Sequence, residues 1–115
     1  MRGYIIEAQG VFYGVEVMVI IQPKGHRCGY AKVHERNPLF NVDYNDIHGE
    51  PNVNGGLTFS DHSENMSGDF PKGYWLGFDA NHSWDTREGG QSLATMKKDC
   101  EALAMFINSK EKDNE

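Results

Sequence analysis

The longest apolar alternation in the chain runs through V-F-Y-G-V-E-V-M-V-I-I, where Val11, Tyr13, Val15, Val17, Val19 and Ile21 recur at every second residue. A period of two places alternate side chains on one face of a pleated strand, so this segment predicts a β-strand with one face toward a core. Tyr4 to Ala8 is a shorter run of the same kind, and the Gln9-Gly10 break between the two predicts a hairpin. Pro23-Lys24-Gly25 marks the next turn, and Cys28 to Val33 reads as a third strand. Leu57 to Ser60 is a short strand, and in Tyr74 to Asp79 the residues Tyr74, Leu76 and Phe78 alternate against Trp75, Gly77 and Asp79. An antiparallel meander is the simplest way to connect these strands.

Near the C-terminus the period changes. Ser92 is a good N-cap, and Leu93, Met96, Cys100, Leu103 and Ile107 follow at spacings of three and four, which predicts a helix to about Asn108 with an apolar stripe for the sheet. The fold class is therefore α+β: an antiparallel, meander-like β-sheet with one C-terminal α-helix packed on a face. A single domain is expected over residues 1–108, with a charged tail over 109–115 expected to be disordered. Between His34 and Gly56 the chain is rich in Asn, Asp, His and Pro, and a loop of that length inside a small domain suggests function or an oligomer contact. Leu39 and Phe40 within it are the expected contact residues of a homo-oligomer, most simply a two-fold dimer, unless the monomer buries them.

At 115 residues the chain has room for one core. Eleven Lys and Arg against seventeen Asp and Glu give a net charge of −6, which repels phosphate backbones and argues against nucleic acid as a partner. Two cysteines outside any CxxC pair are too few for a disulfide scaffold. Cys100 belongs to the helix stripe and reads as a buried structural thiol. No apolar run is long enough to span a bilayer and the first residues do not form a signal peptide, so the expected location is the cytosol, without membrane association.

The richest polar cluster is G-F-D-A-N-H-S-W-D, where Asp79, His82 and Asp85 recur every three residues as a strand gives way to a loop. An imidazole between carboxylates can bind a ligand, hold a metal or poise a base, and such residues also serve simply as acceptors for backbone N–H groups in turns. A second feature is N-V-N-G-G-L-T-F-S, in which Asn54, Gly55 and Gly56 lead into a strand. Paired glycines allow close approach to backbone N–H groups, although the spacing is not that of a phosphate-binding loop. Trp75 and Trp84 bracket the Asp79 cluster, and Tyr74 or Trp75 offers a stacking face. His62, beside Asp61 and near Glu64, is a weaker candidate on a polar loop, where such a histidine is more often simply solvated, and His26, His34 and His48 lack partner spacing.

Three blocks taken together, H-R-C-G-Y-A-K-V with N-P-L-F-N-V-D-Y, then N-G-G-L-T-F-S, then Y-W-L-G-F-D-A-N-H-S-W-D, resemble a family of small, often bacteriophage-encoded proteins with C-G-Y-V, H-P-L-Y, H-G-G-L-T-Y/F and W-W-x-G-F-D-C-A-H motifs. The resemblance spans roughly residues 26 to 85. Two positions depart from it: Asn54 replaces the motif histidine and Ala80 the motif cysteine. Asn keeps a hydrogen-bonding edge but not the titration of His, which favours binding over catalysis.

The expectation is a phage-type accessory protein that binds a small polar, nucleotide-like molecule and sequesters a host defence signal. Its ligand-binding residues would be Asn54, Gly55, Gly56, Tyr74, Trp75, Asp79 and His82, with no cofactor and no bound metal. A metal-assisted hydrolase using Asp79, His82 and Asp85 is one alternative, and an acidic protein-binding inhibitor is another. If the chain is phage-encoded, its location is the host cell cytosol.

Overall fold

The computed structural model describes residues 4–23, 25–47, 53, 56–66, 70–79 and 92–113. Five strands, β1 (Ile5–Phe12), β2 (Val15–Ile21), β3 (Arg27–Val33), β4 (Phe59–His62) and β5 (Tyr74–Asp79), form one antiparallel sheet in the order β1-β2-β3-β5-β4. One helix, α1 (Leu93–Asp113), packs against it, so the fold is α+β. The first three strands form a meander. β5 then lies beside β3, and β4, which precedes it in sequence, takes the outer edge.

The first hairpin turns at Tyr13-Gly14 and not at Gln9-Gly10. Tyr13 and Gly14 have φ of 54° and 75°, and Phe12 pairs with Val15 across them. A two-residue hairpin of the primed kind requires positive φ at both positions. Gly14 meets that demand freely, while Tyr13 sits where bulky side chains are uncommon. Gln9 and Gly10 instead continue β1 opposite Met18 and Val17. Of the predicted alternation only Val15, Val17 and Val19 join the core beneath α1, and Val11 and Tyr13 are exposed at 62% and 50%.

On the helix face, Met96, Cys100, Leu103, Ala104 and Ile107 are buried against Val15, Val17, Val19, Ala31, Val33, Leu76 and Phe78. The Ser92 side chain accepts a hydrogen bond from the Thr95 N–H at 3.2 Å, capping the helix as its sequence suggests. The helix continues to Asp113, past the predicted end at Asn108, because S-K-E-K-D holds no glycine or proline to stop it. Residues 109–113, expected as part of a disordered tail, are helical. None of the described helices is long and apolar enough to cross a membrane.

The opposite face has its own core of Tyr4, Met18, Ile20, Cys28, Tyr30, Phe70 and Trp75. Edge-to-face ring pairs join Tyr30 to Phe59, Tyr30 to Phe70 and Phe70 to Trp75. Gly77 makes room for this layer, since a Cβ there would stand 2.7 Å from Cδ1 of Tyr30.

The segment after β3 folds back over the helix-side core. Leu39 and Ile47 are buried, and Phe40 is half-buried against them. Burial removes Leu39 from the exposed surface expected of it. Asn37, itself buried, donates from Nδ2 to the Ile107 carbonyl at 3.0 Å and accepts from the Leu39 N–H at 2.9 Å. The loop is thereby tied to α1, and its hydrophobic side chains supply core where the helix does not reach.

Candidate binding site

The aromatic end of the sheet is set by the β4–β5 register, which places His62 directly opposite Tyr74, while Val33 flanks Tyr74 on the other side. The His62 and Tyr74 rings have centroids 4.8 Å apart at an interplanar angle of 54°. Phe40 packs edge-on against both, at 5.7 Å from His62 and 5.6 Å from Tyr74. The three rings border an open cleft of about 430 Å³ whose rim also carries Lys32, Glu35, Glu64 and Lys72. That volume suits a small molecule, and apolar rings with a few charges at the rim are what such sites present.

Two of the three rings are held by hydrogen bonds. The Tyr74 hydroxyl donates to the Val42 carbonyl at 2.6 Å, and burial pushes its phenol above the usual value. His62 Nε2 is hydrogen-bonded to Oδ1 of Asn41, a residue held at φ 65°. The same segment bonds to β4 a second time, through the Tyr44 N–H to Ser60 Oγ at 3.0 Å. Asp61, whose place on the strand points it to the other face, accepts from Asn65 Nδ2 at 2.9 Å and from the His62 N–H at 2.8 Å. Both bonds hold its carboxyl below the usual carboxylate range, the Asn65 bond most.

Lys72 brings positive charge to a rim that also carries Glu35 and Glu64, whereas Lys32, paired with Trp75 across the ladder, sends its ammonium to the other face of the sheet. Lys32 is bonded to Glu16 at 3.2 Å and remains partly exposed, and Lys72 is exposed. The stem of Lys32 crosses the backbone at Gly73, where a Cβ would lie 2.6 Å from Lys32 Cε. Gly73, at φ 152°, leaves room for that stem beside the cleft.

The residues read from the sequence are distributed differently. The two motif blocks are neighbours, since Phe59 pairs with Gly77 and the Thr58 N–H donates to the Gly77 carbonyl at 2.9 Å. Gly56, at φ 75°, closes a turn with its N–H on the Val53 carbonyl at 3.1 Å. Asp79 ends β5 opposite Cys28. Tyr74 begins the same strand, so the two are roughly 17 Å apart at the rise of an extended chain, too far for one small ligand to touch both. Trp75 faces the other side of the sheet, only 3% exposed, with its indole N–H on the Pro71 carbonyl at 2.9 Å. Asn54, Gly55, His82, Trp84 and Asp85 lie outside the described residues. Among those described, no three His, Cys, Asp or Glu side chains gather as metal ligands.

From the sequence His62 is only a weaker candidate on a polar loop, and Phe40 has a different role. The available signal was the length of β4. Ending that strand at Ser60 leaves His62 in a loop, whereas two more residues bring it opposite Tyr74 once the blocks are paired. Comparison of the chain with protein-family models, with curated proteins and with solved structures gave no match.

Proposed function

We propose that the cleft bordered by Phe40, His62 and Tyr74 binds a small planar molecule bearing an anionic group, of nucleotide type, and that the protein acts by holding this ligand. The observation that carries the reading is the His62–Tyr74 ring pair, 4.8 Å apart and closed by Phe40, at the edge of a cleft with Lys72 on its rim. A flat ring gains stacking contact there, and the exposed Lys72 attracts the charge. Holding is favoured over turnover because the polar atoms of both rings already serve the fold: the Tyr74 hydroxyl on Val42 and His62 Nε2 on Asn41. The likeness of the motif blocks to phage-encoded proteins gives this reading a setting in the host cytosol, with sequestration of a nucleotide signal as its purpose.

Titration with adenosine monophosphate, followed by NMR, tests the proposal. The expected result is saturable shifts at the His62 and Tyr74 rings. Binding should weaken roughly 5- to 150-fold in His62→Ala, the range of one lost base–aromatic stack. Saturable shifts confined to another part of the sheet, or no binding by any of the four common nucleoside monophosphates, would overturn it.

A further inference from the structure

The two edges of the sheet are finished differently. β4 has four residues, and the 41–47 segment bonds to it through Asn41 and Tyr44. β1 has eight residues, and no described strand pairs with its outer side. Proteins usually blunt such an edge with lysine, proline or an unpaired inward charge. β1, of sequence I-I-E-A-Q-G-V-F, has neither lysine nor proline. Its one charge, Glu7, sits at a bulge between Ile6 and Ala8 and is taken up by Arg27 at 2.6 Å. Ile5 and Val11 are the most exposed large hydrophobic residues of those described, at 67% and 62%.

The order of side chains along β1 identifies what fits the edge. Aliphatic or aromatic residues occupy both ends, Ile5 and Ile6 at one and Val11 and Phe12 at the other, with Ala8, Gln9 and Gly10 between. Reversing the strand gives the same arrangement. A second copy laid antiparallel over the full length therefore sets Ile5 opposite Phe12 and Ile6 opposite Val11. The faces agree as well: in the monomer Phe12 packs with the helix-side core and Ile6 with the opposite core. Ile5, next to Ile6, takes the helix side, and Val11, next to Phe12, takes the other. We infer that β1 is the contact of a two-fold dimer, in which two sheets join edge to edge into one of ten strands with both helices on the same side. The pairing is isologous, as a closed dimer requires.

The hairpin register also says which backbone groups are free for it. Phe12 and Val15, next to a two-residue turn, form a hydrogen-bonded pair, and bonded pairs alternate from there. The N–H groups of Gln9 and Val11 consequently point away from β2.

Sedimentation equilibrium of the full chain across micromolar to millimolar concentration is the test. The expected result is a species of twice the 13.0 kDa chain mass, with the Gln9 and Val11 amides protected from hydrogen exchange in the dimer. Val11→Lys and, separately, Gln9→Pro should shift dissociation at least tenfold toward monomer while leaving the circular dichroism spectrum unchanged. A protein that stays monomeric throughout overturns the proposal, and so does a dimer whose affinity neither variant alters while the Gln9 and Val11 amides exchange freely. None of these outcomes depends on the cleft at His62.

Discussion

His62 and Tyr74 face each other across the β4–β5 ladder with ring centroids 4.8 Å apart, and each is hydrogen-bonded to the 41–42 stretch of one loop. The strand edge, the loop and the cleft are thus a single mechanical unit. Removing the Tyr74 hydroxyl tests this. Tyr74→Phe leaves the Val42 carbonyl without its donor and should cost about 1 kcal/mol. The expected signature is a melting temperature lower by a few degrees together with faster hydrogen exchange over residues 39–47.

Asn37 is a stronger anchor for the same loop, because it is buried and bonded at both ends of its amide. Asn37→Ala removes two hydrogen bonds and strands the Leu39 N–H. The expected loss is roughly 2–3 kcal/mol in urea unfolding, whereas Asn37→Asp should lose at least as much, since it keeps the acceptor but puts a charge in a buried place.

Gly29 and Gly77 stand beside each other on β3 and β5 where rings cross the backbone. A Cβ at Gly29 would meet Phe78 Cζ at 2.4 Å, and one at Gly77 would meet Tyr30 Cδ1 at 2.7 Å. Gly29→Ala and Gly77→Ala should each destabilise by about 1–3 kcal/mol through overpacking. In chemical denaturation, shortening Phe78 to Leu should lessen the cost of the Gly29 change and leave the Gly77 change as it was.

Both cysteines are buried as free thiols, and burial pushes both up, Cys100 to about 12. The nucleophilic thiolate is correspondingly scarce in the native protein. A disulfide-exchange reagent at pH 8 is expected to label neither thiol on the timescale that labels both in denaturant. Prompt labelling of Cys100 in the native state would show that α1 lifts from the sheet.

Asp61 gives the acid response a local origin. Its folded-state carboxyl titrates below the ordinary 3.8, so its contribution to stability is complete above that pH and is lost as pH falls through the lower folded value. Asp61→Asn should therefore reduce stability near neutrality and flatten its fall between about pH 4 and the acid limit. Thermal melts at pH 7 and pH 3 measure both effects.

The strands and the helix stripe were legible because each carries its own period: Val15, Val17 and Val19 at two, and Met96, Cys100, Leu103 and Ile107 at three and four. The hairpin turn was misplaced because Gln9-Gly10 and Tyr13-Gly14 have equal claim locally. Pairing between Phe12 and Val15, not any turn propensity, decides between them. The cleft was hidden for a related reason. Phe40, His62 and Tyr74 belong to three segments with no common period, and only the insertion of β5 between β3 and β4 assembles them. Trp75 carried the same composition signal as Tyr74, but a pleated strand puts successive residues on opposite faces, and Trp75 went to the second core.

That insertion has a consequence for the order in which the protein is made. On the ribosome the β1–β2–β3 meander emerges first, with the Val15, Val17 and Val19 face bare and the edge of β3 open, and it stays so while residues 34–73 are added. The edge of β3 stays open until β5, residues 74–79, has left the exit tunnel, and the valine face until α1, residues 93–113, follows, because β5 supplies the neighbour of β3 and α1 supplies the cover. At the usual 5–20 residues per second, the nascent chain spends roughly 4–16 s in this sticky state. Crowded polysomes bring many such open edges together, so the yield of folded protein should depend on translation speed and on chaperones that shield the meander.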